Sequence, residues 1–245
     1  MINFFRKTRQ LLLTKNPPDG PTGKFSKYLF YAIGEVFLVV FGILIALSID
    51  NWNEDQNLRR TEKALLKEMK NELEMDLADM EYNIHFNKVR VNANEIVLES
   101  LKNAGPYNDT LNFYYANLMG GAYFMKNTSA FDNLNSMGFH IIKNDSLRIR
   151  ITQLYSNIYK YADFLNANYS DNFYTTKLEP LIIRNIIADT IWMSARPLNL
   201  SELAMNHEFK ETIKTNIHWI WFLIGNYTDT RKEIIALIRQ IDSEN

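Results

Sequence analysis

The chain has 245 residues, 47% of them apolar and 13% aromatic, which excludes a disordered polar tail. Its 27 Lys and Arg residues nearly balance 28 Asp and Glu residues, giving a net charge of −1, whereas proteins that bind nucleic acid usually carry a basic surplus. Cysteine is absent, which excludes disulfides, thiolate metal sites and cysteine nucleophiles.

An apolar segment near the N-terminus is predicted to span a membrane. In residues 28–49, Glu35 is the only acidic or basic side chain, and about 20 helical residues suffice to cross a bilayer core of about 30 Å. A cleaved signal peptide is a weaker alternative because its apolar region is usually about 7–15 residues long, although Ala46-Leu47-Ser48 resembles a cleavage site. A buried core helix is disfavoured by the basic flank on one side only.

The charges that flank this segment predict its orientation. Residues 1–27 contain six Lys and Arg residues against Asp19 alone, and basic flanks stay in the cytoplasm. Tyr28 and Tyr31 at one end and Trp52 at the other are predicted to anchor the helix at the two interfaces. The predicted organisation is a short basic cytoplasmic segment (1–27), a transmembrane helix (28–49) and an extracytoplasmic helical domain (50–245), which in a bacterium is periplasmic.

One face of the membrane segment is a candidate site for helix–helix contact. Glu35, Leu38, Gly42 and Ala46 share a face at 3.6 residues per turn, and small residues four apart let two helices approach closely. A carboxyl about 10 Å deep is costly unless it is neutral, paired or able to reach water. We interpret this face as a seam for self-association or for docking on another membrane protein; the alternative is that Glu35 snorkels to the cytoplasmic interface.

The rest of the chain is predicted to be helical, because nine Gly and six Pro residues are few breakers for this length. A first long helix is expected to run on from the anchor to Gly105-Pro106. Phe139–Ile142 is the only segment with a trace of strand character, and residues 189–200 are expected to form a loop. The other predicted helices are 109–119, one that starts at Thr128 or Ser129 and ends at Gly138, a long one from Asn144 that is interrupted at Pro180 and resumes over Leu181–Ile187, and 202–242. The predicted fold class is therefore all-α, with the N-terminal transmembrane helix followed by an antiparallel helical bundle.

No cofactor or metal site is predicted. Acidic residues cluster on the first long helix, where calcium-loop glycines are missing, and a solvated face is expected. Glu81 and His85 are one helical turn apart, but two ligands do not make a metal site. His207 begins a sequence that departs from the zinc-helix motif at Glu211 and is better interpreted as a helix start capped by Asn206. The clustered acids are Glu68, Glu72, Glu74, Asp76, Asp79 and Glu81. The aromatics expected to lie in the core, with a ligand surface as the alternative, are Tyr114, Tyr115, Tyr123, Phe124 and 218–222.

The anchor resembles the start of a known family. The segments that carry the resemblance are Ala32-Ile33-Gly34-Glu35, Val39-Val40-Phe41-Gly42-Ile43 and Asn51-Trp52-Asn53-Glu54, with Phe4-Phe5-Arg6-Lys7 and Ile142-Lys143-Asn144-Asp145-Ser146-Leu147 in support. The family comprises uncharacterised small bacterial single-pass membrane proteins with a domain of unknown function. The resemblance implies an inner-membrane, mostly periplasmic helical protein and transfers no catalytic residue. Ser48 departs from the pattern of this family, in which a longer polar residue is expected at that position.

These observations favour a membrane-anchored periplasmic scaffold or accessory subunit that is not an enzyme. Its expected partners are the lipid bilayer and either a second copy or another membrane protein, with no nucleic acid. Two alternatives stay open: a periplasmic ligand-sensing ectodomain that acts through a partner protein, and an uncharacterised periplasmic enzyme.

Overall fold

The computed structural model describes residues 21–102 and 106–244, except for the side chains of residues 21–28 and 30. The chain divides into two compact units, Met1–Arg59 and Arg60–Asn245. The second unit is a helical bundle of four segments, called here its legs: three long helices and one segment that is only partly helical.

Helix α1, Pro21–Lys102, is the longest element of the structure. Its N-terminal part is apolar enough to cross a membrane, with a mean hydropathy of 2.6 over the most apolar window and none of that window buried. The prediction that the apolar segment continues into the first long helix is confirmed.

The remaining elements are mostly helical, which confirms the predicted fold class. In chain order they are a 3₁₀ turn Asp109–Leu111, α2 Asn112–Ala116, α3 Ser129–Met137, a 3₁₀ turn Phe139–Ile141, α4 Asp145–Gln153, α5 Tyr159–Ala167, α6 Glu179–Asn185, β1 Ile186–Thr190, β2 Ser194–Pro197, α7 Leu200–Met205 and α8 His207–Ser243. The π-helical turns Leu154–Ile158 and Asn168–Leu178 connect α4 to α5 and α5 to α6, so residues 145–185 form one stretch, called here the second long helix.

Local signals place the helix ends where the sequence predicts them. The Asn144 side chain accepts a hydrogen bond from the Leu147 N–H at 3.1 Å and caps α4. Asn206 caps α8 in the same way, through the Phe209 N–H at 2.9 Å. Gly138 ends α3 with a φ of 99°, a backbone conformation that favours glycine.

A small hairpin corrects two predictions. Strands β1 and β2 pair antiparallel where a helix end and a loop were expected. The β-branched Ile186 and Ile187 favour a strand once a partner strand is available, but a strand this short leaves a weak pattern in the sequence. The expectation of some strand character at Phe139–Ile142 is also wrong, because Phe139–Ile141 forms a 3₁₀ turn.

Three legs of the bundle are long helices whose directions follow from their side-chain contacts. α8 runs antiparallel to α1, as the paired side chains Lys70–Asp242, Glu81–Arg231 and Asn94–Asn216 show. The second long helix runs parallel to α1, as Asp76–Tyr159 and Arg90–Tyr169 show. Where α1 ends, a buried apolar cluster closes the bundle; it includes Val97, Leu101, Leu181, Phe209 and Ile213.

The remaining leg, which connects the end of α1 to the start of α4, is only partly helical. Residues 120–128, called here the strap, are irregular and run back along α1. Ala122 contacts Asn87, and farther along the strap Met125 contacts Asp79. The strap therefore takes the place of a helix and has to find hydrogen-bond acceptors for its backbone outside itself.

Candidate functional site

The residues of the predicted seam all lie on the exposed part of α1. Leu38 is 56% exposed, and Glu35, Gly42 and Ala46 are also exposed on the same face of the helix. A methyl group added at Gly42 would meet no atom within 4 Å. This face of α1 is therefore not covered by any part of the chain that the structure describes.

The predicted interfacial anchors are partly described. Tyr31 and Trp52 have exposed side chains on α1. The side chain of Tyr28 lies outside the described residues. Every residue between Tyr31 and Trp52 is exposed.

The expectation that the acidic cluster is wholly solvated is wrong. Asp76 is 0% exposed, and its carboxylate binds the strap. Asp76 Oδ1 accepts hydrogen bonds from the backbone and side-chain amides of Asn127 at 2.9 and 2.8 Å. Asp76 Oδ2 accepts one from the Tyr159 hydroxyl at 2.5 Å, so a single carboxylate holds the strap and the second long helix against α1.

Three further carboxylates on α1 hold the returning chain in the same way. Glu72 is buried and accepts from the Ala130 N–H at 3.1 Å, while Asp79 accepts from the Met125 N–H at 3.0 Å. Glu62 accepts from the Lys143 N–H at 2.8 Å. These acids therefore satisfy amides of irregular segments and of the first turn of α3, which helical hydrogen bonds do not reach.

The start of α3 departs from the prediction for the same reason. Thr128 bonds Asp132 through its side chain and does not cap the helix. Ser129 is the first residue of α3, and the carboxylate of Glu72 accepts the Ala130 N–H instead. Glu72 of α1 thus caps the first turn of α3, where a cap from Thr128 or Ser129 was expected.

Burial raises the pKa of two of these carboxyls, Asp76 and Glu72. Removal from water raises the pKa of Asp76, and this effect outweighs its hydrogen bonds to Tyr159 and Asn127. Burial also raises the pKa of Glu72, although the Ala130 N–H opposes the shift. Both carboxyls thus bind a proton more tightly in the folded protein than in the unfolded chain.

This shift predicts a pH dependence of stability that is specific to Asp76. Below its unfolded pKa of about 3.9, Asp76 is protonated in both the folded and the unfolded state. The contribution of this carboxyl to the free energy of unfolding is therefore complete there, and it is lost as the pH rises through the higher pKa of the folded state. We expect the free energy of unfolding of the wild type, relative to Asp76→Asn, to fall as the pH rises from about 4. Denaturant titrations at a series of pH values measure the difference in free energy of unfolding between the two proteins. A difference that rises with pH contradicts the raised pKa of Asp76.

A second polar site lies deeper in the bundle, around Arg90. The Arg90 side chain is 0% exposed, and its Nη2 donates to the Tyr169 hydroxyl at 2.8 Å. Tyr169 donates onward to Asn216 Oδ1 at 2.8 Å, and Asn216 donates to Asn94 Oδ1 at 2.9 Å. These residues, called here the buried polar centre, connect all three long helices.

Arg90 is incompletely bonded within this centre. Its Nη1 donates to Asn87 Oδ1 at 3.1 Å, and its guanidinium carbon lies 5.8 Å from the centre of the Tyr169 ring. Among the residues that the structure describes, its Nε finds no hydrogen-bond partner. Sequence reasoning missed this centre, although Asn87, Arg90 and Asn94 recur at helical steps on the buried face of α1 and are the signal that marks it.

Other candidate residues have structural roles. Glu81 pairs with Arg231 at 2.8 Å, whereas His85 on the next turn is exposed. Within the described ranges, no group of three or more His, Asp and Glu residues is placed to hold a metal ion. Tyr115 and Phe124 are buried, which confirms their place in the core.

The remaining aromatic candidates lie nearer the surface. Tyr114 and Tyr123 are half-buried. On α8, Trp221 and Phe222 are exposed. Core packing therefore accounts for only part of the aromatic set.

Comparison with known proteins places this architecture in a family. The model of a family of unknown function, DUF6090, matches residues 35–182, from the apolar part of α1 to α6. No curated protein and no solved structure matches the chain. The matched region covers more than half of the chain and includes the predicted seam, the four carboxylates that hold the returning chain, and Arg90. The chain therefore belongs to the family of unknown function DUF6090.

Proposed function

We propose that this protein is a non-enzymatic scaffold or accessory subunit, anchored in the bacterial inner membrane by the apolar part of α1. The observation that carries the proposal is the exposure of every residue from 31 to 50, while the unit from Arg60 onward has its own buried core. An exposed apolar surface this large is rare in water and is the normal state of a helix in lipid.

The proposed orientation has the N-terminus in the cytoplasm and the C-terminal domain in the periplasm. The basic residues of 1–27 support it, because Lys and Arg resist translocation. The chain contains no cysteine, so a single introduced cysteine reports its own side of the membrane. His207→Cys, at an exposed position, is expected to react with a membrane-impermeant maleimide from the periplasmic side. Labelling only after the inner membrane is broken would overturn the orientation.

We further propose that the seam holds a second copy of α1. Single-cysteine crosslinking in native membranes tests this directly. Leu38→Cys lies on the seam and is expected to form a disulfide-linked dimer, whereas Leu44→Cys, on the opposite face, is expected to stay monomeric. Equal crosslinking at both positions, or none at either, argues against a seam between copies.

The role of Glu35 gives a separate prediction. Glu35→Leu removes a polar group from the apolar segment, so insertion is expected to be retained. If the carboxyl bridges two helices, dimer formation by Leu38→Cys in this background is expected to fall several-fold. Unchanged crosslinking would mean that the carboxyl only reaches back to the interface.

The buried polar centre favours a second candidate function, a ligand-sensing ectodomain that acts through a partner protein. A fully buried guanidinium with an unpartnered N–H is unusual in a domain whose only role is structural. Thermal unfolding of the full-length protein in mild detergent, with and without metabolite mixtures, tests it. An unfolding temperature that no mixture moves counts against sensing.

A further inference from the structure

The positive charge of Arg90 is buried without an opposite charge. Its partners are the amide oxygen of Asn87 and the hydroxyl of Tyr169, and both groups are neutral. In residues 21–102 and 106–244, no carboxylate forms an ion pair with it. Arginine is almost never fully buried unless it is paired, so a compensating negative charge is expected from outside the described part of the chain.

The neighbouring tyrosines do not supply this charge. Tyr169 donates its hydroxyl proton to Asn216 and is therefore neutral. Tyr123 packs against Tyr169 with ring centres 6.2 Å apart, and burial raises the pKa of the Tyr123 hydroxyl. Burial therefore favours the neutral form of the Tyr123 phenol.

The unpartnered Nε–H shows where an acceptor would bind. The Nη1 and Nη2 groups already have partners in Asn87 and Tyr169, whereas Arg90 Nε–H is buried with none. A buried donor without an acceptor is unfavourable in its own right, in addition to the unpaired charge. A single anion at this N–H would satisfy the donor and the charge together.

Part of the strap lies beside the residues that bond Arg90. Asn87, which bonds Arg90, also donates to the Ala122 carbonyl at 3.2 Å, so this part of the strap lies close to the centre. Gly120 has a φ of 73°, and a methyl group at Gly121 would lie 2.3 Å from the Tyr123 hydroxyl oxygen. A segment held by individual side chains opens locally at a lower free energy than a packed helix.

We propose that Arg90 binds a small monovalent anion through its Nε–H, beneath strap residues 120–123. The shared chemistry is a negatively charged acceptor small enough to enter the bundle, either chloride or the carboxylate of a small molecule. This inference goes beyond the anchored scaffold and does not depend on the membrane segment.

Thermal unfolding of the full-length protein in mild detergent tests the proposal. Sodium chloride and sodium acetate are titrated separately, with the ionic strength held constant by sodium sulfate. The wild type is expected to melt about 3 to 6 °C higher at an anion concentration ten times its dissociation constant, and above that point the melting temperature should keep rising with the logarithm of the concentration. A logarithmic rise with chloride identifies a halide site, and a logarithmic rise with acetate identifies a carboxylate site.

Two variants separate binding at Arg90 from general salt effects. Arg60→Met, at an exposed position of α1, is expected to keep the logarithmic rise. Arg90→Met removes the charge while retaining the side-chain bulk and is expected to lose the rise. Absence of a logarithmic rise in the wild type, or an equal rise in Arg90→Met, would overturn the proposal.

A direct measurement keeps the proposal testable if Arg90→Met fails to fold. Wild-type protein is expected to broaden the ³⁵Cl NMR line of chloride, and at a carboxylate site acetate should relieve the broadening. Arg90→Lys keeps the charge but lacks the planar donor group, and is expected to weaken binding at least tenfold. If chloride is not broadened and acetate does not stabilise the wild type, the anion site does not exist.

Discussion

Replacing Leu38 and Val40 with arginine is expected to release the full-length protein from the membrane. Each arginine near the centre of a span costs about 2.5–3.5 kcal/mol on insertion scales, and the lost Leu and Val add a few tenths each. The combined penalty of about 6–8 kcal/mol is large enough to prevent insertion. Flotation on a density gradient measures the result, because it separates membranes from aggregated protein.

The matched control adds the same charge outside the span. Thr22→Arg with Ser26→Arg extends the basic flank, where positive charge favours the proposed orientation. This variant is expected to float with the membranes as the wild type does. If the Leu38→Arg, Val40→Arg protein also floats, lipid does not surround this part of α1.

Replacing Asp76 with leucine is expected to lower the free energy of unfolding by about 3 to 5 kcal/mol, because each buried donor left without a partner costs about 1–3 kcal/mol. The substitution leaves both Asn127 amides and the Tyr159 hydroxyl without their acceptor. Leucine recovers only part of this loss through apolar burial. Denaturant unfolding followed by tryptophan fluorescence measures the change.

Two control substitutions on the same helix separate the loss of the Asp76 acceptor from the general effect of removing an acidic residue. Asp76→Asn keeps an acceptor oxygen for the strap and is expected to cost about 1 kcal/mol. Glu74→Leu removes an exposed acid whose ion pair with Lys70 spans 3.8 Å, and is expected to change stability by less than about 0.5 kcal/mol. An Asp76→Leu protein as stable as Glu74→Leu would show that the strap does not depend on this carboxylate.

The helix ends were predictable because their signals are local. Asn144 and Asn206 each bond an amide three residues later in the chain, and a left-handed Gly138 needs only its own backbone. These contacts form between near neighbours and therefore leave a readable pattern in the sequence. The long helices were predictable for a related reason, since apolar residues at helical spacing mark the face that packs.

The roles of the acidic residues were not predictable in this way. Glu74 and Asp76 lie two positions apart on the same helix, yet the first is exposed and the second is buried. The difference depends on Asn127 and Tyr159, which are 51 and 83 residues away in the chain. Nothing near Asp76 in the sequence reveals that a strap without a helical hydrogen-bond pattern will pass beside it.

The sequence by itself determined that this chain has one apolar helix long enough to span a bilayer and a helical domain beyond it, because length, hydrophobicity and helical spacing are properties of contiguous residues. The tertiary structure alone decided that four acids of α1 hold the returning chain and that Arg90 lies buried among neutral partners. The physical reason is that the free energy of a charge depends on its surroundings, and distant segments of the chain build those surroundings.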